Sequence, residues 1–300
     1  TSVIEAMEVE LGWEFIQIYG LTETAPLLTM SRCRAEWDDL TPGERASRLG
    51  RAGAPTVGIK MDVSPEGELL ARGNHILKSY WQNPEASDEA LAGGWFHTGD
   101  GGVIDDEWLI RDVGGMARQL GWEPAAYARH QIESEGGPER CAVPFHPDHD
   151  VEGPYRGRGN DDAWGERLAT VLTHIMDKDF SIIRGEYDRA VRTEHWGDRG
   201  DWSWDFPETD WMRLRSSFPG SRFQVHHRIG RSDPGTPHRA AVRWSLTGKH
   251  TGFGAFGEPS DAMVHIMGIS HAEFGPRGIR REYVLADEVA VWKQILLHGG

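Results

Sequence analysis

A length of 300 residues, with 38% hydrophobic and 26% charged side chains and a mean hydropathy of -0.53, suits a globular chain with room for two ordinary domains. The formal net charge of -15 argues against a nucleic-acid backbone as partner, because phosphate binding needs a clustered cationic surface. No run of about 18 apolar residues exists, which excludes a membrane span.

Cys33 and Cys141 lie far apart with no CxxC pattern, and no basic-then-apolar targeting segment opens the chain, so the expected compartment is the cytoplasm. The chain begins at Thr1 and enters a helical pattern at once, from which missing upstream sequence is expected. Ser2 is placed to cap a short helix with Ile4, Met7 and Leu11 on one side, stopped by Gly12. Trp13 to Tyr19 predicts a strand, and residues 51–72 predict β-structure turning at Ser64-Pro65-Glu66-Gly67. A short helix follows over Pro84 to Leu91. Between Gly121 and Asn160 the composition shifts to Gly, Pro, Glu, Arg and His, which predicts a linker with at most one short helix.

From Trp164 the spacing of Leu168, Leu172, Ile175 and Met176 predicts a helix, extended by Phe180 and Ile183. Thr209 is the expected cap of a second helix carrying Trp211, Leu214 and Phe218, which Pro219-Gly220 stops. Strands are expected at 223–229, 240–246, 262–274 and 279–287. Helices followed by long strands predict an α+β domain.

One internal repeat marks a boundary. Glu107-Trp108-Leu109-Ile110-Arg111-Asp112 with Arg118-Gln119-Leu120 matches Glu282-Tyr283-Val284-Leu285-Ala286-Asp287 with Lys293-Gln294-Ile295, with Glu, Asp and Gln at equal offsets. Such a match arises by chance between two strand ends, or makes residues 107–120 the tail of a first copy whose body is absent.

Tyr19-Gly20-Leu21-Thr22-Glu23, then Gly67-Glu68-Leu69-Leu70-Ala71-Arg72-Gly73, Tyr80-Trp81 and Trp95-Phe96-His97-Thr98-Gly99-Asp100, resemble in order and spacing the adenylate-forming acyl-CoA synthetases. The resemblance covers residues 1–105. It implies that Tyr19 stacks on adenine, Thr22 contacts the phosphate, Glu23 holds magnesium and Asp100 accepts both ribose hydroxyls of ATP or AMP. That chemistry is sensible, since a carboxylate can bridge two vicinal hydroxyls and a hard cation prefers carboxylate oxygen. The departures are as informative as the matches. The Ser/Thr/Gly-rich triphosphate loop and the lysine-bearing subdomain are absent, and Asp112 is followed by Val113-Gly114-Gly115 rather than a ligase hinge. An incomplete α/β fragment with no adenylation activity is the expectation.

Tyr187-Asp188-Arg189-Ala190-Val191, Phe218-Pro219-Gly220-Ser221-Arg222-Phe223 and His265-Ile266-Met267-Gly268-Ile269-Ser270-His271-Ala272-Glu273-Phe274, leading to Arg281-Glu282-Tyr283, resemble the SnoaL-like polyketide cyclases of the NTF2-like superfamily. This second resemblance covers residues 155–300, with 106–154 left as remnant strand and linker. It implies an NTF2-like cone, a curved sheet around a long helix, that works without a cofactor on a small apolar carbonyl ligand. Alternation puts His265, Met267, Ile269, His271 and Glu273 on one face of their strand, and Tyr283, Leu285 and Asp287 on one face of the next. The resemblance makes Asp287 the general acid/base, with His265 or His271 polarising the carbonyl.

Other readings stay open at each position. Asp287 equally suits a helix cap, and both histidines suit ordinary sheet positions. His146-Pro147-Asp148-His149-Asp150 lacks helical ligand spacing and reads as solvated linker rather than a metal site. Trp202, Trp204, Phe206 and Trp211 read as pocket wall or core. A non-catalytic dimerisation module is the third functional alternative.

Overall fold

The computed structural model describes residues 2–102, 110–141, 144–151 and 156–298, and the chain divides into two units, Thr1–Glu107 and Trp108–Gly300. In the first, α1 (Ser2–Leu11) ends at Gly12, whose φ of +63° suits a residue without Cβ. Strands β1 (Ile16–Tyr19), β2 (Thr29–Arg32) and β3 (Ala54–Pro55) form one antiparallel sheet. Helix α2 (Pro42–Leu49) lies between β2 and β3, and its start is legible in hindsight: Thr41 and Glu44 form a reciprocal capping box with Pro42 next to the cap.

A second antiparallel sheet joins β4 (Ile59–Val63), β5 (Glu68–Gly73) and β6 (Phe96–Gly101), with α3 (Pro84–Ala90) preceding β6. The β4–β5 turn is the expected one, the Gly67 N–H donating to the Ser64 carbonyl at 2.9 Å. Little apolar surface is enclosed in this unit. Its buried clusters hold Leu28, Met61, Ala71 and Phe96, and separately Ile4, Ala46 and Leu49. Val3, Val9, Trp13, Ile18, Val57 and Trp81 stay exposed.

The second unit is α+β. Its helices are α4 (Val113–Gln119), α5 (Pro124–Ser134), α6 (Asp162–Met176), α7 (Ser181–Glu186), α8 (Asp205–Ser217) and α9 (Glu288–His298). Six strands, β7 (Tyr187–His195), β8 (Arg199–Trp202), β9 (Arg222–Arg231), β10 (His238–Lys249), β11 (Met263–Gly275) and β12 (Gly278–Ala286), make one sheet in the order β8-β7-β12-β11-β10-β9. Among the pairings of these six strands, β12 with β7 is parallel and the others are antiparallel. Helix α6 buries Leu168, Val171, Leu172 and Ile175 at helical spacing against β9 and β10, each side chain worth about 1.5–3 kcal/mol.

The predicted helix through Ile183 is interrupted at Lys178, whose φ is +71°. Helix α8 starts a turn before the expected Thr209 cap, because Pro207 is tolerated in a first turn where its missing N–H costs nothing. Along β11 the even residues from Val264 to Phe274 face the core helices, and the odd ones face away.

The stretch expected as linker is structured within this unit. Helix α5 packs on α9, where Lys293 Nζ meets Glu135 Oε1 at 2.7 Å. Asp112 caps α4 through the Gly115 N–H at 2.8 Å and also accepts from the Gly197 N–H at 2.7 Å. Arg118 grips Glu288 with two hydrogen bonds of 2.6 and 2.9 Å. The Gly114-Gly115 pair allows this approach, since a Cβ on Gly114 would sit 2.6 Å from the Glu288 carboxylate. In the internal repeat both aspartates, 112 and 287, cap helices carrying the matched Gln119 and Gln294. Residues 107–109 of the repeat lie outside the described residues.

Candidate functional site

The inner face of the six-stranded sheet carries a chain of buried polar groups. Tyr187 on β7 donates its hydroxyl to Glu282 Oε1 on β12 at 2.7 Å. Glu282 Oε2 faces His195 Nε2 at 3.2 Å, and His195 Nδ1 faces Asp210 Oδ2 on α8 at 2.7 Å. Arg199 on β8 completes the chain by donating to Asp210 Oδ1. Tyr187, His195, Asp210 and Glu282 are all buried.

Burial by itself would lower the His195 pKa. The hydrogen bonds to Asp210 and Glu282 outweigh it and raise the imidazole from 6.5 to about 9, so both ring N–H groups donate at neutral pH. Burial pushes the other way at Asp210, but His195 and Arg199 hold its carboxyl below the usual range. Tyr187 is pushed well above its ordinary value by burial and by the Glu282 charge. Two carboxylates thus balance an imidazolium and a guanidinium, the pairing a buried charge network needs.

Aromatic rings wall this chain. The Trp196 ring stacks on His195 at 5.6 Å, and Phe206 and Trp211 meet it edge-on at 5.4 and 5.3 Å. Trp211 is core, as one of the two readings of the aromatic run has it, whereas Trp202 is 62% exposed. The Trp211 Nε1 atom is buried and faces the Tyr187 hydroxyl outside good hydrogen-bond geometry.

The residues singled out from sequence do not form one cluster. Asp287 caps α9, accepting from the Ala290 N–H at 3.0 Å, and burial raises its pKa. His271 is exposed on the outer face, where it pairs across with Tyr283. His265 is buried on that same outer face against Asp150, at 3.1 Å. Asp150 itself corrects the reading of residues 146–150 as solvated linker, because its side chain is 2% exposed. Among the described residues no group of three His, Cys, Asp or Glu side chains is arranged to hold a metal ion.

Alternation along β11 and β12 was legible, yet it singled out the outward residues; Glu282 lies on the other parity of β12, and His195 lies on β7, which is not among the strands expected from sequence. A signal existed for them: Glu282 stands as a lone acid between the buried Ile279 and Val284, and His195 precedes the buried Trp196.

In the first unit the motif residues meet in two separate contacts. Tyr19, at the end of β1, donates its hydroxyl to Asp100 Oδ2 at 2.8 Å. Thr22 and Glu23 follow on a single 3-10 turn, and Tyr80 donates to Glu23 Oε1 at 3.0 Å. Among the described residues no helix is long and apolar enough to cross a membrane.

Comparison with known proteins finds likeness to two kinds of protein. A 4-hydroxybutyrate–CoA ligase of Metallosphaera sedula is 34% identical over 37% of this chain and 22% of its own length. An acetate/butyrate–CoA ligase of Arabidopsis thaliana is 35% identical over 33% of this chain and 20% of its own length. About a third of the chain is similar to these acyl-CoA ligases. It spans about a fifth of the length of these relatives. Among solved structures, a protein of Jannaschia sp. CCS1 assigned to the SnoaL-like polyketide cyclases aligns over 44% of this chain and 93% of its own, at 15% identity and a TM-score of 0.37. An o-succinylbenzoate CoA synthetase of Bacillus subtilis aligns over 35% of this chain and 27% of its own, at 26% identity and a TM-score of 0.28. No family profile matches the chain.

Proposed function

We propose that the second unit binds a small apolar carbonyl compound against the inner face of its sheet and moves a proton beside that carbonyl, without a cofactor. The buried chain of Tyr187, Glu282, His195 and Asp210 carries this reading: a charged imidazole and two carboxylates walled by aromatic rings suit a ligand carbonyl. Perturbed titrating groups that converge in one place are the other hallmark of such sites. Glu282 takes the proton, His195 stabilises the resulting charge distribution, and Asp210 holds the imidazole in place.

The test is deuterium uptake next to the carbonyl of a graded series of ketones in heavy water, followed by NMR. Uptake above the buffer rate is expected, reduced about 100-fold or more in Glu282→Gln. It should persist in Asp287→Asn, because asparagine caps a helix as well as aspartate does. Loss in Asp287→Asn at unchanged stability would move the role to Asp287. No uptake by the unaltered protein removes the proposal.

The 2.8 Å contact between Tyr19 and Asp100 favours a second reading, in which the first unit holds an adenosine moiety weakly. Ribose hydroxyls would replace the Tyr19 hydroxyl as donors to Asp100, leaving the Tyr19 ring to stack and Glu23 to meet magnesium. The proposal is confined to binding, which the Tyr19 to Asp100 contact supports. Calorimetry with AMP and magnesium is expected to show millimolar binding, weakened about tenfold by Asp100→Ala, one charge-assisted hydrogen bond being worth that much. Absence of heat at millimolar AMP ends this reading.

A further inference from the structure

The outer face of the six-stranded sheet holds a second polar centre, built around one carboxylate. Asp150 Oδ1 accepts from Arg243 Nη1 at 2.6 Å, and Oδ2 lies 3.1 Å from both His226 Nε2 and His265 Nε2. The side chains of Arg243, His226 and His265 are 8%, 8% and 4% exposed.

These three groups are held by the sheet rather than by Asp150. The register of β9 against β10 slips between Arg243 and Trp244, so that Arg243 pairs with His227 and Trp244 with Val225, leaving His226 as the extra residue of a bulge. A bulge re-aims a side chain, and here it sends His226 towards Ser245, whose Oγ lies 2.7 Å from Nε2. His265 is fixed from two sides. Thr247 Oγ1 meets its Nδ1 at 2.6 Å, and Gln294 of α9 binds its backbone N–H and carbonyl at 2.8 and 2.9 Å. Arg243 lies on β10 between these two positions. The Phe145 ring stacks on His265 at 5.5 Å and 5°, covering it with an apolar surface.

Asp150 comes from a different part of the chain, the segment 144–151 that precedes the sheet. Its carboxylate is therefore bound by the sheet as a ligand would be. A guanidinium and two ring nitrogens converging on one anion form a recognition geometry for carboxylate, and the presence of Arg243 disfavours a cation in the same place.

We propose that this centre is a carboxylate-binding site that the chain fills with its own Asp150, and that it accepts a small free carboxylate when that side chain is removed. The donors form a preorganised cradle, so a carboxylate supplied from solution meets the same contacts without rebuilding the sheet. The inference is independent of the function proposed for the inner face, since it concerns other residues on the other side of the sheet.

Sodium acetate is the probe, with sodium chloride at equal ionic strength as control. Asp150→Ala is expected to melt below the unaltered protein, to regain melting temperature with acetate and not with chloride, while acetate leaves the unaltered protein unchanged. Adding Arg243→Gln should weaken the acetate effect about tenfold, by loss of a charge-assisted hydrogen bond. Should Asp150→Ala be recovered unfolded, refolding replaces melting as the readout, and acetate must raise the folded yield above that in chloride. Acetate acting no better than chloride on Asp150→Ala, or shifting the unaltered protein by as much, overturns the proposal.

Discussion

Glu282→Ala is expected to lower the unfolding free energy of the second unit by about 3–5 kcal/mol, the cost of removing one partner from a buried charged network. Glu282 has no solvent exposure, and both its oxygens are used, one by Tyr187 and one by His195. Truncation leaves a buried hydroxyl without an acceptor and strands half the compensation of an imidazolium. Glu282→Gln should cost less, because the amide oxygen still accepts from Tyr187. A cycle with Tyr187→Phe separates the two contributions: the combined loss should fall short of the two single losses together, since the residues share one hydrogen bond. Urea denaturation at neutral pH measures all of these. A loss below about 1 kcal/mol in Glu282→Ala would mean that water reaches the network, and the enclosed arrangement described above would be wrong.

Stability of the same unit is expected to fall by up to about 3 kcal/mol between about pH 6 and about pH 10, the free energy that corresponds to the shift of His195 from 6.5 to about 9. The sign follows from proton binding. Between those two values the folded protein keeps the proton on His195 while the unfolded chain has released it, so raising the pH favours unfolding. The stabilisation is complete below about 6.5 and is lost as the pH rises through about 9. Asp210 acts in the opposite direction, since its folded pKa is depressed: its contribution is present above the ordinary carboxylate value of 3.8 and disappears as the pH falls. Stability should therefore be greatest in mildly acidic solution. Thermal or urea unfolding across this range, with His195→Gln as comparison, tests the assignment. The alkaline decline should flatten in that variant, and an equally steep decline there would show that His195 is not its source.

Much of the fold was legible because its causes are local. The α1 stop at Gly12, the turn at residues 64–67, the α6 stripe and the four C-terminal strands follow from backbone preference and periodicity within a few residues of each position. Helix α2 is equally local in origin, its start set by the Thr41 to Glu44 capping box. The segment 110–150 was harder to read because its order comes from distant partners. Arg118 meets Glu288, Glu135 meets Lys293, and Asp150 meets His226, Arg243 and His265. A composition rich in glycine and proline hides such contacts, since the same glycines that suggest a linker also permit close packing.

The candidate site shows where local reading stops. A period of two assigns residues of a strand to two sets: His265, His271, Tyr283 and Leu285 do share one face, and Glu282, Val284 and Ala286 the other, whereas Asp287, expected to share the face of Tyr283 and Leu285, lies beyond β12 and caps α9. Which set becomes the interior depends on where α6 and α8 come to rest, because burial is a property of the assembled layers and not of the strand. The choice of face moved the inner polar centre from the outward histidines to Tyr187, His195, Asp210 and Glu282, contributed by three separate elements that only packing brings within hydrogen-bond distance.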